Sequence, residues 1–112
     1  VSLFLPFFTQ YHASLEAHNC VEKRGPKFVK EKINSIASFL NANIDQVDLV
    51  IARFISSLGL EISFNQLNIS SKRFHEIVKD VNIERLKNNP GIVNNDVFSK
   101  IYNYNNINLK SI

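Results

Sequence analysis

The sequence predicts an all-α fold, a bundle of about five to six helices joined by short loops. Three observations predict it. Apolar residues recur at helical spacing, most clearly at Val29, Ile33, Ile36 and Leu40. Helix stops and starts fall between such stretches, at Arg24-Gly25-Pro26, Asn41-Ala42-Asn43, Gly59, Asn68 and Asn89-Pro90-Gly91. No window alternates apolar and polar residues with period two, and no Asn-Gly or Asp-Gly hairpin dipeptide or solenoid repeat occurs.

The opening residues Val1, Leu3, Phe4, Leu5, Phe7, Phe8 and Tyr11 leave almost no polar face, which predicts a helix enclosed by protein. Pro6 is compatible with that helix only in its first turn or at a kink. After Tyr11 the apolar character fades. Gly25-Pro26 then starts an amphipathic helix, with Val29, Ile33, Ile36 and Leu40 inward and Lys27, Lys30 and Lys32 outward. Asn43 with Gln46 has the spacing of a capping box, and Asp45 suits the positive helix end. The next helix carries a wide stripe of Val47, Val50, Ile51, Phe54, Ile55 and Leu58, ends at Gly59, and is expected to be central.

Ser63 with Gln66 forms a second capping box, for about one helical turn ended by Asn68. The stretch Val50–Leu67, a helix end, a glycine stop and a capped restart, organises the elements on either side. Ser70 or Ser71 caps a helix facing inward through Phe74, Ile77, Val78 and Val81. Ile83–Leu86 adds a turn capped by Asn82. Asn89-Pro90-Gly91 is loop, because proline disfavours helical angles at Asn89. Asn94 or Asn95 caps a last helix with Val97, Phe98, Ile101 and Tyr102 inward. Residues 1–104 are read as one helical unit and 105–112 as a frayed tail, rich in asparagine from Asn103 onward.

The length of 112 residues allows one domain, or a piece of one, with a modest core. An apolar fraction of 45% and a charged fraction of 21% fit a soluble globular chain better than a disordered one. The net charge of +3 comes from scattered lysines, which argues against nucleic acid as a partner. The apolar start is too short to span a bilayer and lacks signal-peptide features, so no membrane association is expected. The single cysteine, Cys20, fits a reduced, cytoplasmic setting. A first residue that is not Met and already lies in an apolar run points to a piece of a longer chain.

Candidate chemistry is sparse. His12, Glu16 and Cys20 are spaced by four and would line one helix face as a metal stripe. The competing reading is an exposed hydrophilic face, favoured because Gly25 and Pro26 lie close by. His18 and His75 read as solvated imidazoles. Arg24, Lys27, Lys30 and Lys32 form a basic patch without interleaved exposed aromatics, and so a solvated face. Phe4, Phe7, Phe8 and Tyr11 are either core or a docking surface. No nucleophile elbow, GxGxxG stretch or P-loop is present. No residue is assigned a catalytic, cofactor-binding or metal-binding role.

Three segments resemble a known family. VSLFLPFFTQYH is similar to the apolar "LLP" segment of iron-dependent alcohol dehydrogenases, members of the dehydroquinate synthase-like superfamily. SLGLEISFNQLNI is similar to that family's "LGIP…L.ELGI" stretch, and KNNPGIVNNDVFSKIYNY to its terminal "NPR…T.EDV..I...AY". The segments come in the family's order and together cover nearly the whole chain. Gly91 stands where the family has the arginine of "NPR", Asn68 stands for the glycine of "ELGI", and His12 falls where asparagine is frequent. The segment NCVEKRGPKFVKEKINSIASFL resembles a branch with a longer connection that includes enzymes acting on small aldehydes.

The resemblance implies the C-terminal helical part of an NAD(P)-dependent, metal-requiring oxidoreductase. In that family an N-terminal lobe binds the dinucleotide. An Asp and three His hold Fe2+ or Zn2+, which polarises a carbonyl or alkoxide during hydride transfer. The ligands lie before the "LLP" segment, so none maps onto this chain. The implied partner is the missing N-terminal lobe with the ligand-bearing helices, and homo-oligomerisation is left open. The alternative reading is a stand-alone helical interaction module gripping a partner helix through its aromatic N-terminal face.

Overall fold

The computed structural model describes residues 2–81, 83–107 and 109. Val1, Asn82 as a helix cap, and positions 108 and 110–112 of the expected tail lie outside the described residues. The elements are α1 (Leu5–Ala13), α2 (Pro26–Phe39), a 3-10 turn (Ile44–Gln46), α3 (Val47–Ser57), α4 (Ser71–Val78), α5 (Ile83–Leu86) and α6 (Asn95–Ile107). Among the described residues there is no strand, so the all-α expectation holds. The molecule measures 38 × 33 × 19 Å. Its short dimension is about two helices deep at an interaxial spacing of roughly 8–10 Å.

The hub is α1 rather than α3. It packs on α2, the 3-10 turn, α3 and α6. This follows from its lack of a polar face, which only contact on several sides satisfies. Pro6 sits in the first turn, where no intrahelical bond needs its missing amide, and it is fully buried. The Thr9 hydroxyl is buried too and donates to the Leu5 carbonyl. Ser14 then ends the helix.

In α2 the buried residues are Val29, Ile33 and Ala37. The expected stripe is corrected at its far end, because Ile36 and Leu40 are exposed. Ala37 takes the contact position, since a small side chain lets neighbouring helices approach. Gly25, at φ 89°, makes the turn before Pro26. Asn41, at φ 54°, accepts the left-handed conformation just past the C-terminus.

The Asn43–Gln46 capping box does not form. Asn43 makes no side-chain cap, and the segment tightens into a 3-10 turn held by the Gln46 amide on the Asn43 carbonyl. In α3, Val47, Asp48, Ala52 and Ile55 are buried, whereas Phe54 and Leu58 face out. The expected stripe was too wide for a helix covered on one side. Gly59, at φ 81°, stops α3 as predicted.

The second capping box is reciprocal. Gln66 Oε1 accepts from the amides of Ile62 and Ser63, and Ser63 Oγ accepts from the Gln66 amide. It closes a turn rather than a helix, ended by Asn68 at φ 57°. Ser70 caps α4 by accepting from the Arg73 amide. Phe74 is buried as expected, but Ile77 is exposed. Asn94 Oδ1 caps α6 through the Val97 amide.

Helix α6 continues past the predicted limit of the helical unit. It reaches Ile107, Asn105 is fully buried, and Leu109 is 1% exposed among Ala52, Ile55 and Ile62. Asn105 Nδ2 donates to the Leu3 carbonyl, which ties the last helix to the start of the first.

The principal core joins Phe64, Phe74, Val97, Phe98 and Ile101. Phe4, Phe7, Phe8 and Tyr11 pack against it, so the N-terminal aromatics are core, not a free docking face. A second cluster joins Ala13, Ile33, Ala37 and Val47. Residues 19–22 and 90–92 meet in an isolated antiparallel bridge between Cys20 and Gly91. There the amide of Val21 donates to the Pro90 carbonyl at 2.7 Å and that of Ile92 to Asn19 at 2.9 Å.

Candidate functional site

A broad concavity lies beside that bridge. Holding residues 19–22 against 90–92 leaves a cleft of about 570 Å3 between the end of α1, the start of α2 and the loop after α5. Val21, Phe28, Val29, Ile33 and Pro90 give it apolar walls, and Lys23, Lys32 and Lys87 stand on it with Glu22, Asn88, Asn89 and His12. The volume falls within the range of small-molecule sites.

His12 is the best-fixed polar group of the cleft. Its Nε2 lies 2.8 Å from Asn89 Oδ1, and the Gly91 amide donates to the same oxygen at 3.0 Å. The Gly91 N–H sets which end of the Asn89 amide faces inward, so His12 Nε2 must carry the proton and donate. Burial lowers the His12 pKa below its ordinary 6.5, with the Asn89 hydrogen bond opposing. At neutral pH His12 is therefore an uncharged donor, and the positive charge of the cleft comes from its lysines.

The carboxylates of this region are committed. Glu22 Oε1 accepts from Arg24 Nε at 2.7 Å, and this bond, with the Arg24 amide, holds the Glu22 pKa below its ordinary value. Glu84 pairs with Lys87 at 3.0 Å. Lys23 and Lys32 form no ion pair among the described residues, although Lys23 acts on Glu22 at longer range. Phe28 carries the Arg24 guanidinium 3.9 Å from its ring centre and the Lys32 ammonium at 5.3 Å. A flat apolar wall edged by cations suits binding. Among its described lining residues there is no Ser, Thr, Tyr or Cys side chain.

The proposed metal stripe is not built. Helix α1 ends at Ala13, so Glu16 and Cys20 leave the His12 face. Among the described residues no group of three or more His, Cys, Asp or Glu side chains is placed to hold a metal. His18 lies near Glu16 at the surface. His75 is exposed but not free, because Nδ1 donates to the Ser71 carbonyl at 2.7 Å and Nε2 meets Ser99 Oγ at 3.3 Å, linking α4 to α6. Of the basic patch, Arg24 and Lys32 reach Phe28, whereas Lys27 and Lys30 do not line the cleft. The sequence reading missed Phe28 and Asn89. The spacing of four from Arg24 to Phe28 to Lys32 was the available signal for the first, and nothing local pointed to the second.

One further polar cluster is buried. The Tyr104 hydroxyl donates to Asp48 Oδ2, and burial followed by this bond pushes the Tyr104 pKa far above its ordinary value. Among the described residues Asp48 Oδ1, Gln10 Oε1 and Asn105 Oδ1 are buried without a hydrogen-bond partner.

No protein-family model, no curated protein and no solved structure matches the chain. Among the described residues no helix is long and apolar enough to cross a membrane.

Proposed function

We propose that the chain is the C-terminal helical part of an NAD(P)-dependent, metal-requiring alcohol dehydrogenase or aldehyde reductase of the iron-dependent, dehydroquinate synthase-like type. There it walls and supports the catalytic cleft and is inactive by itself. The reading rests on the three resembling segments, and one structural observation supports it: those segments form a single core. Phe4 meets Phe64 edge-on at 5.9 Å, Phe64 stacks on Tyr102 at 5.5 Å, and the Tyr11 hydroxyl donates to Ile92.

The chain's own described residues do not fit the metal, since no suitable ligand group converges. The Asp, the three His and the dinucleotide lobe belong to the missing partner segment, and no reaction step is assigned here. What this chain supplies is packing: α1 is held from several sides, and a helix held so firmly can fix residues that precede it.

The test is to translate and express the complete reading frame. It should continue upstream through a GGGS-like phosphate-binding stretch and spaced histidines. The whole polypeptide, loaded with Fe2+ or Zn2+, should reduce small aldehydes with NADH or NADPH in the cytoplasmic fraction, while the 112-residue piece turns nothing over. A start codon directly ahead of Val1 would overturn the reading.

The stand-alone interaction module is kept as a second reading because Phe39 is 89% and Phe54 64% exposed. Its gripping face would then lie on α2 and α3, not on the N-terminal aromatics.

A further inference from the structure

The geometry points to the cleft beside His12 as a binding site for a small organic anion, an apolar body bearing a carboxylate or similar acidic head. This goes beyond the dehydrogenase reading and stands whether or not that reading does. Three observations carry it.

The first is shape and lining. A concavity of about 570 Å3 has Phe28, Val29, Ile33 and Pro90 on its walls. That is enough for a ring or a short chain of about ten heavy atoms, and burying apolar surface there is favourable.

The second is charge. Lys23 and Lys32 stand on the cleft and form no ion pair among the described residues, while Glu22 is bound by Arg24, with Lys23 acting on it at longer range, and Glu84 pairs with Lys87. An acidic head therefore meets the Lys23 and Lys32 ammonium groups, and the lining carboxylate, Glu22, is already held by Arg24.

The third is a fixed donor system. His12 and the Gly91 amide both converge on Asn89 Oδ1, which locks the Asn89 carboxamide and leaves its Nδ2 donor pointing away from that junction. Asn89 lines the cleft together with the two lysines, and its Nδ2 donor has no hydrogen-bond partner among the described residues. A cationic ligand is disfavoured by the same lysines, and a neutral one leaves them without a partner.

The test uses the polypeptide of the complete reading frame and 2-naphthoate as the probe, followed by its fluorescence and by calorimetry. One saturable binding component is expected. The Lys23→Gln/Lys32→Gln double variant should weaken it by roughly fivefold, the size expected of partly exposed charge contacts. The remote Arg53→Gln/Lys72→Gln variant should leave it unchanged. Neutral 2-naphthamide should bind more weakly than the carboxylate, and inorganic phosphate alone should displace the probe poorly. Absence of saturable binding in the millimolar range, equal binding of the amide, or full affinity in the Lys23/Lys32 variant would each overturn the proposal. Because none of these readouts uses turnover, they separate this site from the dehydrogenase reading.

Discussion

At the scale of single residues, the core positions were the most legible. Phe74, Val97, Phe98 and Ile101 were expected inside and are buried. Phe74→Ala should cost about 3–5 kcal/mol, a large share of the roughly 5–15 kcal/mol typical of a domain, read as a drop in the urea midpoint. The sequence marks Gly91 only as a turn residue, yet its backbone lies under α1. A Cβ there would sit 2.8 Å from Leu15 Cδ2 and 2.9 Å from Tyr11 Cε2. Gly91→Ala should destabilise by about 1–3 kcal/mol through overpacking, by the same measurement. No sequence pattern announces such a close approach, because its cause, Tyr11 and Leu15, lies far away in the chain.

His12 makes a pH prediction at this scale. Burial lowers its pKa below 6.5, so the unfolded chain takes up the proton first as pH falls. Its contribution to stability is complete above 6.5 and declines as pH drops below that value. The urea midpoint of the native chain should fall more steeply between about pH 6.5 and pH 5 than that of His12→Gln, which keeps an amide donor and does not titrate. Equal slopes would mean that the imidazole stays solvated.

At the scale of elements, existence was legible and facing was less so. Gly25-Pro26, Gly59, Asn68 and Ser70 mark boundaries where the sequence placed them. These signals are local, set by φ angles and by one side chain meeting one amide. The faces of α2 and α3 depend on what covers them, and there periodicity alone assigned Ile36, Leu40, Phe54 and Leu58 to the inside. Ala37 and Ala52 hold the contacts instead, and a small residue gives a weak hydrophobic signal. Two of the expected caps separate cleanly in a test. Ser70→Ala should cost about 1 kcal/mol, whereas Asn43→Ala, which removes no side-chain cap, should stay within about 0.5 kcal/mol. A comparable loss at both sites in urea titrations would show that the Asn43 side chain does cap α3.

At the scale of the whole molecule, the helical class was legible from punctuation and periodicity, but the hub was not. The sequence pointed to α3 by the width of its stripe, and the structure gives the position to α1, whose aromatic residues reach several neighbours. The cleft was illegible for the same reason as Gly91, since it exists only because residues 19–22 pair with 90–92. Among the apolar residues left outside, Phe39, Phe54, Leu58 and Leu60 form no part of the core. Phe39→Ser/Phe54→Ser should therefore leave the urea midpoint within about 0.5 kcal/mol while reducing self-association in sedimentation. A substantial loss of stability would place these side chains inside after all.

The bond from Asn105 to the Leu3 carbonyl has a consequence for synthesis. The aromatic segment of α1 leaves the ribosome well before the helix that completes its enclosure, since Asn105 follows Leu3 by 102 positions. At about 5–20 residues per second, that segment waits several seconds for its cover. During that interval it is the stretch a chaperone would be drawn to.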